Sequence, residues 1–158
     1  MTETATIEIG QAVPGFSLPA DGGETLGLKD FAGKTVVLYF YPKDDTSGCT
    51  KEAVGFSEDI EAFAAAGAAV IGVSKDPVKK HDKFIAKHGL KVRLLSDEES
   101  DLCERFGVWV EKSMYGKKYM GIERSTFLID GSGVLRQEWR KVKVPGHVEA
   151  VLAAVKAL

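Results

Sequence analysis

The stretch Val36-Val37-Leu38-Tyr39-Phe40-Tyr41-Pro42-Lys43-Asp44-Asp45-Thr46-Ser47-Gly48-Cys49 decides how the rest of the chain folds. Its first six residues are all apolar, without polar alternation, which fits a strand covered on both faces. Pro42 ends that strand because proline cannot donate to a sheet ladder, and Lys43 to Gly48 is a polar loop closing on a cysteine. Beyond Cys49 the apolar residues Ala53, Phe56, Ile60 and Phe63 recur at three- and four-residue intervals, predicting an amphipathic helix that ends near Gly67. A cysteine is thereby brought to the junction of a buried strand and a helix.

Downstream, Ala68 to Ser74 is a second apolar run of strand length, and Pro77 opens a charged helix to about His88, stopped by Gly89. Leu94-Leu95 makes a third short strand. Asp97 to Phe106 reads as a third helix, with acidic residues in its first turn and Gly107 as its stop. Val108 to Glu123 follows no regular period. Ser125 to Ile129 and Val134 to Trp139 flank Asp130-Gly131-Ser132-Gly133, a hairpin signature, and Val148 to Leu158 is a closing helix with an apolar stripe. Upstream, Ala20 to Gly23 has turn chemistry and Glu24 to Leu28 can form a short strand. Alternating strands and helices followed by a hairpin predict an α/β protein of thioredoxin-like fold, with a mixed, mostly parallel central sheet flanked by helices. No repeat or long linker divides residues 1–158, which are expected to form one domain.

With 21 basic and 23 acidic residues interspersed and a net charge of -2, the chain lacks the clustered cationic field of a nucleic-acid binder. No stretch approaches the roughly 18 apolar residues of a spanning helix, and the first residues carry no basic-then-apolar leader, so a soluble, cytoplasmic protein without membrane contact is expected. Two cysteines far apart in the chain make neither a disulfide framework nor a paired zinc pattern, and Walker A and G-x-G-x-x-G motifs are missing, so neither cofactor nor metal is expected. His81 and His88 share a helix face among Lys79, Lys80, Lys83 and Lys87, which suggests a solvated face; His147 suggests a surface or capping residue. Asp97, Glu98, Glu99 and Asp101 lack the spacing of a calcium loop and suit a helix dipole, and Arg136, Arg140, Lys141 and Lys143 suit a solvated basic stretch.

The strand-to-helix junction is where open α/β sheets place their ligands, and free N–H groups at a helix start favour thiolates over thiols. A small buried thiol with no chemistry is the competing account of Cys49. A thiolate acting as a nucleophile is helped by a donor that holds its substrate and a cation for the developing charge. Thr46 offers a hydroxyl, and Arg124, just before the strand Ser125 to Ile129, offers a fork of N–H donors if that strand neighbours Val36 to Tyr41. Taken singly, Thr46 is equally a turn or capping residue and Arg124 a solvated strand-end charge.

Pro42, Thr46 and Cys49 fit the P-x-x-x-T-x-x-C motif of peroxiredoxins, and the sequence resembles their bacterioferritin-comigratory, or PrxQ, branch over nearly its whole length. Tyr39 to Lys43, Cys49 to Ala53, Phe106 to Trp109, Met114 to Gly116, Gly121-Ile122 and Arg124 to Asp130 match that branch in order and spacing. The resemblance implies reduction of hydrogen peroxide or organic hydroperoxides. Within it Cys49 is the peroxidatic residue, Thr46 and Arg124 activate the substrate, Pro42 shields the pocket and Glu52 orients the arginine. Two departures bear on mechanism. Ser47 stands where the branch usually has proline, although Gly48 is retained. Where many members carry a resolving cysteine this chain has Val54, and the alternative region Phe84-Ile85-Ala86 also lacks one. Cys103 remains as a disfavoured resolver, better explained as a buried structural thiol. The expectation is a one-cysteine cycle reduced by thioredoxin, glutaredoxin or glutathione, in a monomer or weak homodimer. A thioredoxin-like redox sensor or binding module without sustained turnover is the alternative.

Overall fold

The structure, a computed structural model, describes residues 7–158. In the described residues the apolar run at 36–41 becomes β3 (Thr35–Phe40), the middle strand of a five-stranded sheet. On one side β3 pairs in parallel with β4 (Ala68–Ser74), which pairs in parallel with β5 (Arg93–Ser96). On the other it pairs antiparallel with β8 (Ser125–Ile129), which pairs antiparallel with β9 (Leu135–Trp139). The sheet is mixed, as expected: β8 runs against the other four strands. The central strands β3, β4 and β8 match the sequence closely because each is an apolar run of strand length.

Alternate residues of β3 enter two separate cores. Val36, Leu38 and Phe40 face a core with Leu18, Leu102, Cys103, Phe106 and Phe127. Val37 and Tyr39 face the helices α1 (Ser47–Glu58), α2 (Ile60–Ala65), α3 (Val78–His88) and α5 (His147–Lys156), through Ala53, Phe56, Phe63, Phe84 and Val151. Period-two burial on both faces is what an unbroken apolar run requires. The helix expected from Cys49 to Gly67 is broken at Asp59 into α1 and α2, while its apolar stripe continues through Phe56 and Phe63. α3 matches expectation, closing on Gly89 at φ 61. A short antiparallel pair, β1 (Ser17–Pro19) and β2 (Thr25–Gly27), completes the upstream end.

Several expectations need correction. The helix placed at Asp97 to Phe106 shrinks to α4 (Leu102–Arg105). Asp97 is fully buried and accepts hydrogen bonds from the Leu102 and Cys103 amides, so it caps α4 from outside instead of decorating its dipole. The irregular segment after Val108 is an antiparallel hairpin, β6 (Trp109–Met114) and β7 (Lys117–Ile122). Its turn, Tyr115-Gly116, has positive φ at both residues, the two-residue geometry that matches strand twist. His147 is buried, not superficial: its ring bonds Thr126 Oγ1 at 2.8 Å and meets Phe56 and Trp139 edge-on, and burial drops it to about 4, so it is neutral. Of the basic stretch, Arg140 is held over Phe127 and donates to the carbonyls of Phe106 and Gly107, whereas Arg136 stays at the surface with Asp130.

Candidate active site

β3 hands the chain to a loop at Tyr41, whose amide still bonds Val73 O, and the loop delivers α1 at Ser47. Ser47 in place of proline does not prevent the helix from starting there. Thr46 is the residue before the helix, and its carbonyl accepts the first helical bond from Thr50. Cys49 is therefore in the first turn of α1, 1% exposed.

The β3–β8 register decides what meets Cys49. Phe40 at the end of β3 pairs with Ser125 at the start of β8. The residue before Ser125 thus lies beyond the carboxyl end of β3, over the first turn of α1, and that residue is Arg124. Its Nη2 is 3.3 Å from Cys49 Sγ and its Nη1 donates to Glu52 Oε1 at 2.7 Å. Glu52 is three residues beyond Cys49 and shares its helix face. A Cβ on Gly48 would stand 3.1 Å from Arg124 Nη2, so the glycine leaves room for the guanidinium. Thr46 Oγ1 donates to Lys43 O at 2.9 Å, which leaves its lone pairs free to accept from a substrate. Pro42 is half-buried where the chain leaves the sheet.

Burial raises Glu52 to about 7, with Arg124 pulling the other way; its second oxygen, Oε2, has no hydrogen-bond partner among the described residues. Burial also opposes the Arg124 charge, but Glu52 and Cys49 outweigh it and hold the guanidinium above its ordinary value. The result is a cation fixed on two sides and pointed at a sulfur. Half-buried Lys112 on β6 is lowered by burial and by the nearby Arg124 charge, and its chain lies along Gly121 of β7. Lys112 went unsignalled in the sequence because its hairpin has no clear period.

Cys103 lies in a different place. It is 0% exposed in the core on the opposite face of the sheet, among Leu102, Phe106 and Val108. Burial and then Asp97 push its thiol far up. Val54 and Ile85 pack at the edge of the Cys49 core.

The histidine face of α3 is buried at His81 and half-buried at His88. His81 is 0% exposed and bonds Asp44 Oδ2 at 2.6 Å and Leu95 O at 2.9 Å. His88 bonds Asp45 Oδ1 at 2.8 Å. Both partners belong to the loop before Cys49. The lysines around the two histidines concealed this; the signal available was Phe84, which with His81 and His88 falls at i, i+3 and i+7 on one apolar face. Among the described residues no group of three or more His, Cys, Asp or Glu can hold a metal ion, and no helix is long and apolar enough to cross a membrane.

Residues 9–138 match the AhpC/TSA family model. The chain is 56% identical to peroxiredoxin Bcp of Bacillus subtilis over 151 residues, covering 96% of both. It is 55% identical to a putative peroxiredoxin bcp of Coxiella burnetii over 147 residues, covering 93% of this chain and 97% of that one. Among solved structures, PrxQ of Xylella fastidiosa superposes with a TM-score of 0.91 at 42% identity, covering 96% of both chains. Peroxiredoxin Q of Xanthomonas campestris does so with 0.85 at 51% identity, covering 90% of both.

Proposed function

The chain belongs to the AhpC/TSA family as a peroxiredoxin of the Bcp/PrxQ kind, a thiol peroxidase, and from that premise we propose that Cys49 is the attacking thiol of a one-cysteine cycle. The observation that carries the assignment is the Arg124 guanidinium 3.3 Å from Cys49 Sγ, itself held by buried Glu52. Cys49 attacks one peroxide oxygen: an S–O bond forms, the O–O bond breaks, and the leaving alkoxide or hydroxide departs as alcohol or water once protonated. Arg124 donates to the peroxide and balances the charge that builds on the leaving oxygen. Thr46 accepts the peroxide's own hydrogen bond, and Pro42 closes the pocket beyond the carboxyl end of β3. Cys49 is left as sulfenic acid. An external thiol condenses with it to a mixed disulfide and water, and a second thiol releases Cys49 and carries away the disulfide.

The one-cysteine reading is supported by the separation of the two thiols into cores on opposite faces of the sheet. A disulfide requires Cα atoms within about 7 Å. Hydrogen peroxide or organic hydroperoxides are the substrates and thioredoxin, glutaredoxin or glutathione the reductant, in one cytoplasmic domain acting as a monomer or weak homodimer. Steady-state peroxide consumption with each reductant, in the wild type and in Cys103→Ser, tests the cycle: thioredoxin-dependent turnover lost in that variant sinks it. Fast oxidation of Cys49 with no sustained turnover under any of the three reductants favours the sensor instead.

A further inference from the structure

We propose that α3 clamps the loop leading into Cys49, with His81 as a positioning residue: its two ring nitrogens tie Asp44 of that loop to the carbonyl of Leu95 on β5. The inference rests on the peroxidase reading of Cys49 and extends it to residues that never touch the substrate.

Asp44 is buried and fixed by both carboxylate oxygens and its amide. Oδ2 meets His81 Nδ1 at 2.6 Å, Oδ1 accepts from the Tyr41 hydroxyl at 2.5 Å, and its amide donates to Asp76 Oδ2 at 2.8 Å. Asp76 is held in turn by the Ser74 hydroxyl at 2.7 Å. The next residue, Asp45, takes φ 61, a left-handed conformation that a non-glycine residue keeps only when its surroundings hold it. Its carboxylate is bonded by His88 at 2.8 Å and Lys87 at 2.7 Å, both from α3. Thr46 follows, and Cys49 three residues later. Two consecutive loop residues are thus gripped by one helix immediately before the reacting group.

The chemistry of the His81 contact defines how it holds. Leu95 O can only accept, so Nε2 donates to it. Nδ1 faces a carboxylate oxygen at 2.6 Å, where two lone pairs would repel, so a proton lies in that contact. The charged and titratable groups around the ring are Asp44 from the loop, Tyr41 from the end of β3, and Asp76 from the β4–α3 connection, which Lys80 approaches at 3.9 Å. Burial alone would lower His81, but the bond and charge of Asp44, the Leu95 carbonyl and Asp76 outweigh it and raise it. A histidine raised on folding contributes stability that is whole below its unfolded value and is lost as pH rises through the folded one. The clamp therefore loosens on the alkaline side.

The test is the second-order rate of Cys49 oxidation by hydrogen peroxide, followed by stopped flow across neutral and alkaline pH in the wild type, Asp44→Ala, Asp44→Asn and His81→Phe. Asp44→Ala and His81→Phe are expected to slow oxidation on the order of tenfold or more, since small misplacement of a reacting group carries penalties of that size. Asn at 44 can still accept from Tyr41 and donate to a neutral His81. Asp44→Asn should therefore recover most of the rate at neutral pH and lack the alkaline decline expected of the wild type. A folded His81→Phe with the wild-type rate overturns the proposal, as do equal rates for Asp44→Ala and Asp44→Asn, or coincident pH profiles for the wild type and Asp44→Asn. If His81→Phe and Asp44→Ala fail to fold, the last comparison decides alone. A wild-type Cys49 that reacts no faster than a free thiol removes the peroxidase reading itself, a result separate from any ratio between variants.

Discussion

Cys49 and Cys103 are buried almost equally, 1% and 0% exposed, on opposite faces of one sheet. Around Cys49 are a helix start, a guanidinium at 3.3 Å and a glycine that makes room for it. Around Cys103 are Leu102, Phe106, Val108 and an anionic carboxylate whose charge disfavours a thiolate. Burial alone therefore does not distinguish the two thiols. On the proposed reading the difference is the guanidinium aimed at Cys49 Sγ, because the thiolate is the nucleophile.

The sharpest way to break this comparison is Cys49→Ser, which should take peroxide consumption to background while Cys103 remains; residual turnover measured with any thiol reductant would show that Cys103 can substitute. Next is Arg124→Ala, expected to slow Cys49 oxidation by roughly 100- to 1,000-fold, the usual penalty for losing one charge-stabilising donor. Arg124→Lys should recover little, because a single ammonium cannot bond Glu52 and face the sulfur with the same fork. Stopped-flow oxidation reads both. Glu52→Gln should have a smaller kinetic effect but alter pH dependence. Glu52 rises on folding from an ordinary 4.5 to about 7, so the native state binds its proton more tightly and stability falls as pH climbs through that window. Urea midpoints should slope downward there in the wild type and run flatter in Glu52→Gln. Smallest of all, Cys103→Ser should leave the rate of Cys49 oxidation unchanged while lowering thermal stability by about 1–3 kcal/mol, the cost of a hydroxyl in an apolar core; differential scanning calorimetry alongside the kinetic assay checks both halves.

Much of this site can be read before any fold is known. The run from Val36 to Phe63 specifies its strand, loop and helix locally, through an uninterrupted apolar stretch, a proline and an amphipathic repeat. The contact between Arg124 and Cys49 cannot be read in that way, since it depends on the antiparallel register of β3 and β8, whose residues are far apart in the chain. His81 was obscured for a different reason. Its lysine neighbours in sequence point to solvent, while the face it shares with Phe84 turns inward. Asp97 misled in the same manner: one member of an acidic cluster is a buried cap, and the others stay at the surface.

The position of Cys103 has a practical use. A thiol reagent reaches its sulfur only when the core against that face of the sheet opens, so its labelling rate under native conditions times that opening as amide exchange would. Labelling of Cys49 follows the first turn of α1 instead. One chain thus carries two independent clocks, and comparing them with and without peroxide would measure whether oxidation at the helix start loosens the far side of the molecule.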